Sequence, residues 1–418
     1  MIRHRFNSCF CLFLALALIP QSLGQMFVKH SKTYPVGPNP CAIVAVDLNG
    51  DTLPEIVTAD RGQLRPPHEE KPANDELSLL VASESLSYTS HPPLRSGFGP
   101  YCIAAANIDA IPALDLLVGN FHAVSAVAAP ARHLVMFRNL RNNQFEELSF
   151  TVPMDSLTYK RGLDGDGKPI FTVPGITAVA VGDLNGDGYR DAVATGWSAD
   201  VLIVFMGHPE KYFESIATIP AQGGPRDIQL ADLNDDGKLD AVTTQYSNNE
   251  IAVWKGDGNG GLSEVERFRS RGELPHKVRI ADMDGDGTKD VVVSHCHASD
   301  SVHIGYGDGS FRFAVSQEIL LGADRRVVEE EVRDLIVSDL NNDGRQDIVL
   351  ACFASSRVSV MLNVTPSRSM PIEYARENYS YKDARPRAIC TADFNQDGKL
   401  DIGVALWQAN SVGMLLAR

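Results

Sequence analysis

A nine-residue acidic unit recurs along the chain, and a short unit that cannot bury an apolar face alone must stack on its neighbours. Five copies are intact: DLNGDGYRD at 183–191, DLNDDGKLD at 232–240, DMDGDGTKD at 282–290, DLNNDGRQD at 339–347 and DFNQDGKLD at 393–401. Two degenerate copies precede them. DLNGDTLPE at 47–55 keeps the spacing without the Gly, and NIDAIPALD at 107–115 keeps a trace. The seven first positions lie 60, 76, 49, 50, 57 and 54 residues apart, the length of a four-stranded blade plus insertions.

Each unit is flanked alike. A short apolar stretch such as Ile228-Gln229-Leu230-Ala231 precedes it and a β-branched run such as Val291-Val292-Val293 follows, so the acidic segment reads as a hairpin connection. A third strand (Ile251 to Trp254), a Gly-rich turn (Gly256 to Gly261) and a fourth strand complete the unit. Helical periodicity is nowhere sustained. The expected fold is therefore all-β, a seven-bladed β-propeller. After Asp401 there is room for a second and a third strand, Val412 to Leu416, and no fourth. An orphan strand from Met26 to Tyr34 is expected to complete the last blade and remove its exposed edge.

The N-terminus carries Arg3, His4 and Arg5, an apolar run Phe10 to Ile19, Pro20 and the small-residue stretch Ser22-Leu23-Gly24. This predicts a signal peptide over 1–24 and a single propeller domain over 25–418, secreted to the periplasm or outside the cell. No segment reaches the roughly 18 apolar residues of a membrane span. The mature chain keeps Cys41, Cys102, Cys296, Cys352 and Cys390, an odd and widely spaced set that reads mostly as small buried apolar residues with at most one or two bridges. Asn363-Val-Thr365 and Asn378-Tyr-Ser380 fit the N-glycosylation pattern.

The intact loops place Asp or Asn at positions one, three and five, Gly at six and Asp at nine. Hard oxygen ligands at alternating positions, with a Gly that permits a sharp turn, suit Ca²⁺ with its about six to eight oxygens, whereas zinc favours Cys and His. The expected ligands are Asp183, Asn185, Asp187 and Asp191; Asp232, Asn234, Asp236 and Asp240; Asp282, Asp284, Asp286 and Asp290; Asp339, Asn341, Asp343 and Asp347; and Asp393, Asn395, Asp397 and Asp401. The backbone carbonyl at position seven is a further expected ligand, from Tyr189, Lys238, Thr288, Arg345 and Lys399. An EF-hand would need Glu at position twelve and flanking helices, but Ala194, Thr243, Val293, Leu350 and Val404 stand there, all in expected strands.

These residues resemble the FG-GAP/VCBS repeat β-propellers, the family that includes the ligand-binding head of integrin α chains. The D-x-[DN]-x-D-G-x-x-D pattern carries the resemblance, helped by the Gly-rich turn Gly307 to Phe311, and it spans essentially the whole mature chain. It implies about five structural Ca²⁺ ions, one per intact loop, and it names no activity. Asp47, Asn49, Asp51 and Glu55 of the first loop are doubtful ligands because Thr52 replaces the Gly; the second loop, with Ala110, Ile111 and Pro112 inside it, is expected to have lost its ion.

If the acidic loops lie at one end of the ring, the long insertions, Arg61 to Asp75, His122 to Arg132, Pro153 to Gly175 and Gly322 to Val332, fall at the other, where binding usually resides. Two columns of residues belong to that end. Six residues before each unit stand Cys41, Tyr101, Thr177, Arg226, His276, Arg333 and Arg387; six after it stand Arg61, Phe121, Trp197, Tyr246, Cys296, Phe353 and Trp407. Four consecutive basic residues beside aromatic faces suit an anionic glycan or a protein carboxylate, so Arg226, His276, Arg333, Arg387, Trp197, Tyr246 and Trp407 form a candidate ligand face of a binding or adhesion module. The alternative is a polysaccharide lyase acting on a uronate polymer, using His276, His295, His297, Tyr246 and Arg333. For the aromatic column, plain packing between blades competes with ligand contact.

The net charge of −15, from 38 Lys and Arg against 53 Asp and Glu, excludes a general nucleic-acid binder. Loss of Arg3 and Arg5 leaves −17, and sixteen carboxylates sit at the four ligand positions of the intact loops. Five Ca²⁺ ions would bring the chain to −7, so the acidity reads as a periodic metal scaffold rather than as a surface property.

Overall fold

In the computed structural model, residues 25–62, 74–109, 111–121, 132–152, 160–163, 169–171, 174–296, 299–322, 330–366 and 371–418 are described. The expected signal peptide lies outside them, as do Cys9, Cys11, Ala110 and most of the four long insertions.

The β-branched runs after each acidic unit form the second strands of seven antiparallel blades: Glu55–Asp60, Asp115–Asn120, Asp191–Gly196, Asp240–Gln245, Asp290–His295, Asp347–Cys352 and Asp401–Leu406. Every residue in all seven is buried, because each strand is covered on both faces by the adjacent blades. Apolar stretches before the units form the first strands: Pro40–Val46, Pro100–Ala106, Ile176–Gly182, Pro225–Ala231, Pro275–Ala281, Val332–Ser338 and Pro386–Ala392. Each touches its counterparts in the two neighbouring blades, and together they close a ring around the axis. Fourth strands such as Leu262–Arg269 and Val315–Leu320 lie outermost and are mostly half-buried or exposed. The chain is thus the expected seven-bladed propeller.

The last blade is closed by the N-terminal segment, in two pieces rather than the single strand expected over 26–34. Phe27–Lys29 pairs antiparallel with Ser411–Ala417 in the register Phe27 with Ala417, and Tyr34–Pro35 pairs with the same strand at Val412 and Ser411. Four residues lie between Lys29 and Tyr34 but two between their partners Leu415 and Val412, so the intervening residues loop out. Phe27 is fully buried among Tyr379, Leu415 and Ala417, with its N–H donated to the Tyr379 hydroxyl at 3.0 Å.

A single irregularity recurs in every blade. The pairing of first and second strands shifts between Pro40 and Ala42, Pro100 and Cys102, Ile176 and Ala178, Pro225 and Ile228, Pro275 and Lys277, Val332 and Asp334, and Pro386 and Ala388. A β-bulge lets one residue escape the in-out alternation and re-aims its side chain. The residue skipped is in each case the one six before the acidic unit, with Asp227 also skipped in blade four.

The five cysteines among the described residues are free thiols, and four of them are buried. Asn363 is buried and its N–H donates to Asp347, whereas Asn378 is exposed on an outer strand; of the two glycosylation patterns only the second is presented by the fold. Among the described residues no helix is long and apolar enough to cross a membrane.

Truncating Phe27 removes the apolar anchor of closure. Phe27→Ala is expected to cost about 3–5 kcal/mol in denaturant unfolding, whereas Val28→Ala, at a residue 41% exposed, should cost well under about 1 kcal/mol.

Candidate functional site

The acidic loops share one hydrogen-bond scheme. The first-position carboxylate accepts backbone N–H groups from within the loop, as Asp183 does from Gly186 at 2.7 Å and Gly188 at 2.9 Å. Where position three is Asn, its amide donates to the fifth-position Asp, at 2.8 Å in Asn185 to Asp187 and 3.0 Å in Asn234 to Asp236. At position seven the N–H of Tyr189, Lys238, Thr288, Arg345 and Lys399 donates to that same Asp. Position nine is buried and differs in kind. One oxygen of Asp191 accepts the Leu184 N–H at 2.7 Å and the other the Gly207 N–H at 2.6 Å, stapling the loop to the end of the third strand. Asp240, Asp290, Asp347 and Asp401 repeat both bonds.

Burial raises the carboxyl pKa at position nine, to about 6 in Asp290, Asp347 and Asp401, with neighbouring loop aspartates adding to the rise while the two N–H bonds oppose it. Ligand oxygens of Asp282, Asp284 and Asp290 lie within 4.8 Å of one another. This all-oxygen set of like charges, each oxygen with a spare lone pair, fits a hard cation in its donor chemistry.

The two degenerate loops depart in separate ways. In loop two the third-position Asp109 is neutralised by Arg138, whose Nε lies 2.6 Å away, so a side-chain cation stands beside the carboxylate. Loop one keeps the scheme, with Asp47 accepting from Gly50 and Thr52, while Asn49 donates to Asp51 and to Glu55. Thr52 adopts φ 74°, the left-handed conformation that Gly188, Gly237, Gly287, Gly344 and Gly398 take at the same position with φ between 80° and 97°. A β-branched residue is strained there.

At the opposite end of the axis the bulges gather the first column. The Tyr101 hydroxyl accepts Arg387 Nη2 at 2.7 Å and Arg226 Nη2 still more closely, so guanidiniums from blades seven and four meet on one phenol from blade two. Arg387 also donates to the Arg333 carbonyl at 3.3 Å. The Arg61 guanidinium, from the second column, stacks 5.0 Å from the Tyr101 ring and 4.6 Å from Phe121. Arg333 pairs with Glu331; among the described residues Arg226 and Arg387 lie within ion-pair distance of no carboxylate.

Charges in this cluster set each other's titration. Burial alone would raise the Tyr101 phenol, but Arg226, Arg387 and Arg61 overturn that and hold it down at about 8. Burial and the adjacent Arg387 push Arg333 down to about 10. His276 is 2% exposed and held well below its ordinary pKa by burial and by Arg226, Arg387 and Arg333; it is neutral, and the column holds three cations rather than the four expected. Both its ring nitrogens, together with Nε of Arg226 and Nε of Arg333, are buried without a hydrogen-bond partner among the described residues.

The aromatic column surrounds this cluster. Ring centroids run from Tyr101 to Phe121 at 5.5 Å, Phe121 to Trp197 at 5.7 Å and Trp197 to Tyr246 at 6.4 Å, with Phe353 and Trp407 paired at 5.6 Å. Tyr101 and Phe121 belong to one blade, the other three contacts cross from blade to blade, and the rings of the second column are half-buried, so they pack the ring and also wall the cluster. Arg226 lies 4.9 Å from the Tyr246 centroid, and Arg333 and the exposed Arg385 lie 5.4 and 5.2 Å from that of Phe353.

One residue inward, Asp227 and Asp334 form a second tier missed by the column reading. Asp227 accepts the Val278 N–H of the next blade and pairs with Lys277 and Arg279, each at 3.0 Å; Asp334 accepts the Ile389 N–H at 2.9 Å. Tyr101 and Arg61 stood in the two columns but outside the basic run, which is why sequence reasoning passed over them. Of the residues of the lyase alternative, His276 and Arg333 lie in the axial cluster with Tyr246 on its wall, but His276 is buried and neutral and His295 stands apart. His295 is fully buried between Ser270 and Ser301, Tyr246 faces the Cys296 thiol at 3.8 Å, and His297 lies outside the described residues.

The chain carries FG-GAP-like repeats at residues 183–243, 232–293 and 339–404. No curated protein matches it in sequence. Among solved structures it is similar to BBS1N, crystallised in complex with ARL6DN, at 13% identity over 94% of this chain and 97% of that one, TM-score 0.59. It is also similar to a 6-phosphogluconolactonase-like protein from Bacteroides uniformis at 16% identity over 82% and 86%, TM-score 0.55. A virginiamycin B lyase from Staphylococcus aureus matches at 12% identity over 94% and 98%, TM-score 0.53. At such identities these likenesses concern the fold.

Relieving the strain at loop one should stabilise the ring: Thr52→Gly is expected to raise the unfolding free energy by about 1 kcal/mol in urea titration, and Gly188→Thr to lower it by at least as much.

Proposed function

We propose that this propeller of FG-GAP-like repeats is a secreted binding or adhesion module, stabilised by calcium in its acidic loops, that holds an anionic glycan or a carboxylate-bearing protein surface at the axial end opposite those loops. The observation that carries the reading is the meeting of Arg226 and Arg387 on the Tyr101 hydroxyl with no carboxylate within ion-pair distance of either among the described residues. Buried cations are ordinarily paired, and guanidiniums present planar donor edges that match oxyanions. Half-buried Trp197, Tyr246, Phe353 and Trp407 around them offer flat apolar faces on which a sugar ring or a side chain can rest.

The calcium reading is supported by the donor chemistry of the five intact loops and by the mutual approach of Asp282, Asp284 and Asp290. Positions one, three, five and nine would hold the ion by the oxygen lone pairs that the backbone N–H groups leave over. Bound there, the cation supplies charge neutralisation and no reaction step.

Binding is tested by retention on immobilised polygalacturonate and on poly-glutamate. The double variant Arg226→Gln/Arg333→Gln is expected to lose at least about tenfold in affinity, corresponding to about 1.4 kcal/mol, with an unchanged circular dichroism spectrum. Retention equal to wild type would overturn the proposal. For calcium, chelation should lower Tm by about 10 °C or more, since each site held at about a hundredfold excess over Kd adds about 2.7 kcal/mol. Ca²⁺ should restore it where Mg²⁺ at equal concentration does not, and a Tm indifferent to chelator contradicts the calcium assignment.

A further inference from the structure

The axial cluster has an electrostatic and a hydrogen-bonding deficit at the same place. Three guanidiniums surround one phenol, Arg226 and Arg387 at its oxygen and Arg61 over its ring. That oxygen accepts from two of them, and among the described residues its own O–H donates to nothing. Beside it, His276 is 2% exposed, and among the described residues neither of its ring nitrogens is engaged, nor are the buried Nε atoms of Arg226 and Arg333. One ring nitrogen of a neutral imidazole bears a proton and the other accepts, and Glu331 takes an Nη of Arg333, so among the described residues the cluster offers four unengaged donors, O–H and three N–H, against a single unengaged acceptor nitrogen. What satisfies such a set is an anion with several lone pairs.

We propose that Tyr101, Arg226, His276 and Arg333 form a socket for a single oxyanion group, a carboxylate or a sulfate ester, carried on a sugar ring of the ligand. The inference rests on the axial binding reading above and adds to it the unit recognised. The Nε edge of a guanidinium meets two oxygens of such a group at once, a geometry carboxylate and sulfate share. The sugar, rather than a peptide, follows from the walls: Phe121, Trp197, Tyr246, Phe353 and Trp407 present five half-buried rings, an apolar rim suited to the C–H face of a pyranose.

Tyr101 gives the socket a signature that a plain basic patch lacks. The groups facing it are Arg61 and the Cys41 thiol from blade one, Arg226 from blade four, Arg333 from blade six and Arg387 from blade seven, with neutral His276 of blade five beside the same arginines. Below a pH of about 8 the phenol is neutral and donates to the ligand. Above it the phenolate becomes the arginines' own counter-charge and excludes the incoming anion. Affinity must therefore fall as pH rises through that value, by up to about tenfold per pH unit.

The test is titration of the calcium-loaded chain with D-glucuronate, N-acetylglucosamine 6-sulfate, D-glucose and a glutamate-rich peptide, followed by tryptophan fluorescence at about pH 7 and about pH 9. Saturable binding of either acidic sugar but not of glucose, weakened at least about tenfold at the higher pH, is the expected result, and which acidic sugar binds tells carboxylate from sulfate. Tyr101→Phe should bind at neutral pH and lose the pH dependence. Should that variant not fold, the wild type suffices, because binding at alkaline pH must reprotonate Tyr101 and reduce tyrosinate absorbance. Binding of the peptide with neither sugar overturns the inference, as does a pH-independent affinity or an unchanged tyrosinate signal. If polygalacturonate is retained at the axial face while neither acidic sugar binds, the socket fails and the module reading stands. If no polyanion is retained, the module reading itself has failed.

Discussion

A buried carboxylate that accepts one N–H from its own loop and one from the end of the third strand is the joint on which each blade depends. Asp191, Asp240, Asp290, Asp347 and Asp401 make it, and Asp115 makes it too, in a loop that has otherwise lost its acidic pattern. Its survival in loop two separates two roles that a shared motif conceals. Position nine holds the blade together, whereas positions one, three and five shape the turn and concentrate negative charge. An unpaired buried carboxylate costs far more than one accepting two charge-assisted bonds, which is why the second strands can be buried throughout while beginning on an acid.

The two ends of the axis solve opposite electrostatic problems. At the loop end, like-charged carboxylates are kept apart by backbone N–H groups and, in loop two, by Arg138. At the other end, guanidiniums from several blades are brought together by bulges, with a phenol oxygen between them. Between these, Asp227 and Asp334 reach across to N–H groups of the next blade and take Lys277 and Arg279 as partners, so neighbouring first strands are pinned by buried ionic contacts. Of the cations one residue earlier, Arg333 pairs with Glu331 on its own strand approach, whereas Arg226 has no carboxylate partner among the described residues.

The ring was legible because its signal is periodic: the acidic units fixed the hairpins, and the apolar and β-branched runs beside them left no room for helices. Closure by the N-terminal segment followed from counting strands after Asp401. Side-chain direction was not legible. Strict alternation would not predict that Cys41, Tyr101, Thr177, Arg226, His276, Arg333 and Arg387 all sit at bulges, because a bulge is a property of pairing between strands and not of either strand alone. For the same reason His276 read as a potential cation: its neutrality comes from burial in the assembled ring and from arginines 50 or more residues away in sequence. Tyr101 was passed over because nothing local marks a tyrosine that will receive two guanidiniums from distant blades.

The pairing of Phe27–Lys29 with Ser411–Ala417 also sets the order in which the molecule can be made. Chains emerge from the ribosome N-terminus first, so the first of these partners must wait for nearly the whole protein before its strand exists. Six blades can form as local hairpins while synthesis proceeds, each on short-range contacts that fold quickly. The seventh cannot, and until it does the nascent arc carries two unpaired apolar edges that face solvent and each other's copies. Slow growth near the C-terminus would prolong that interval, and dimers formed by exchange of the N-terminal segment between copies are the misassembly such a design invites.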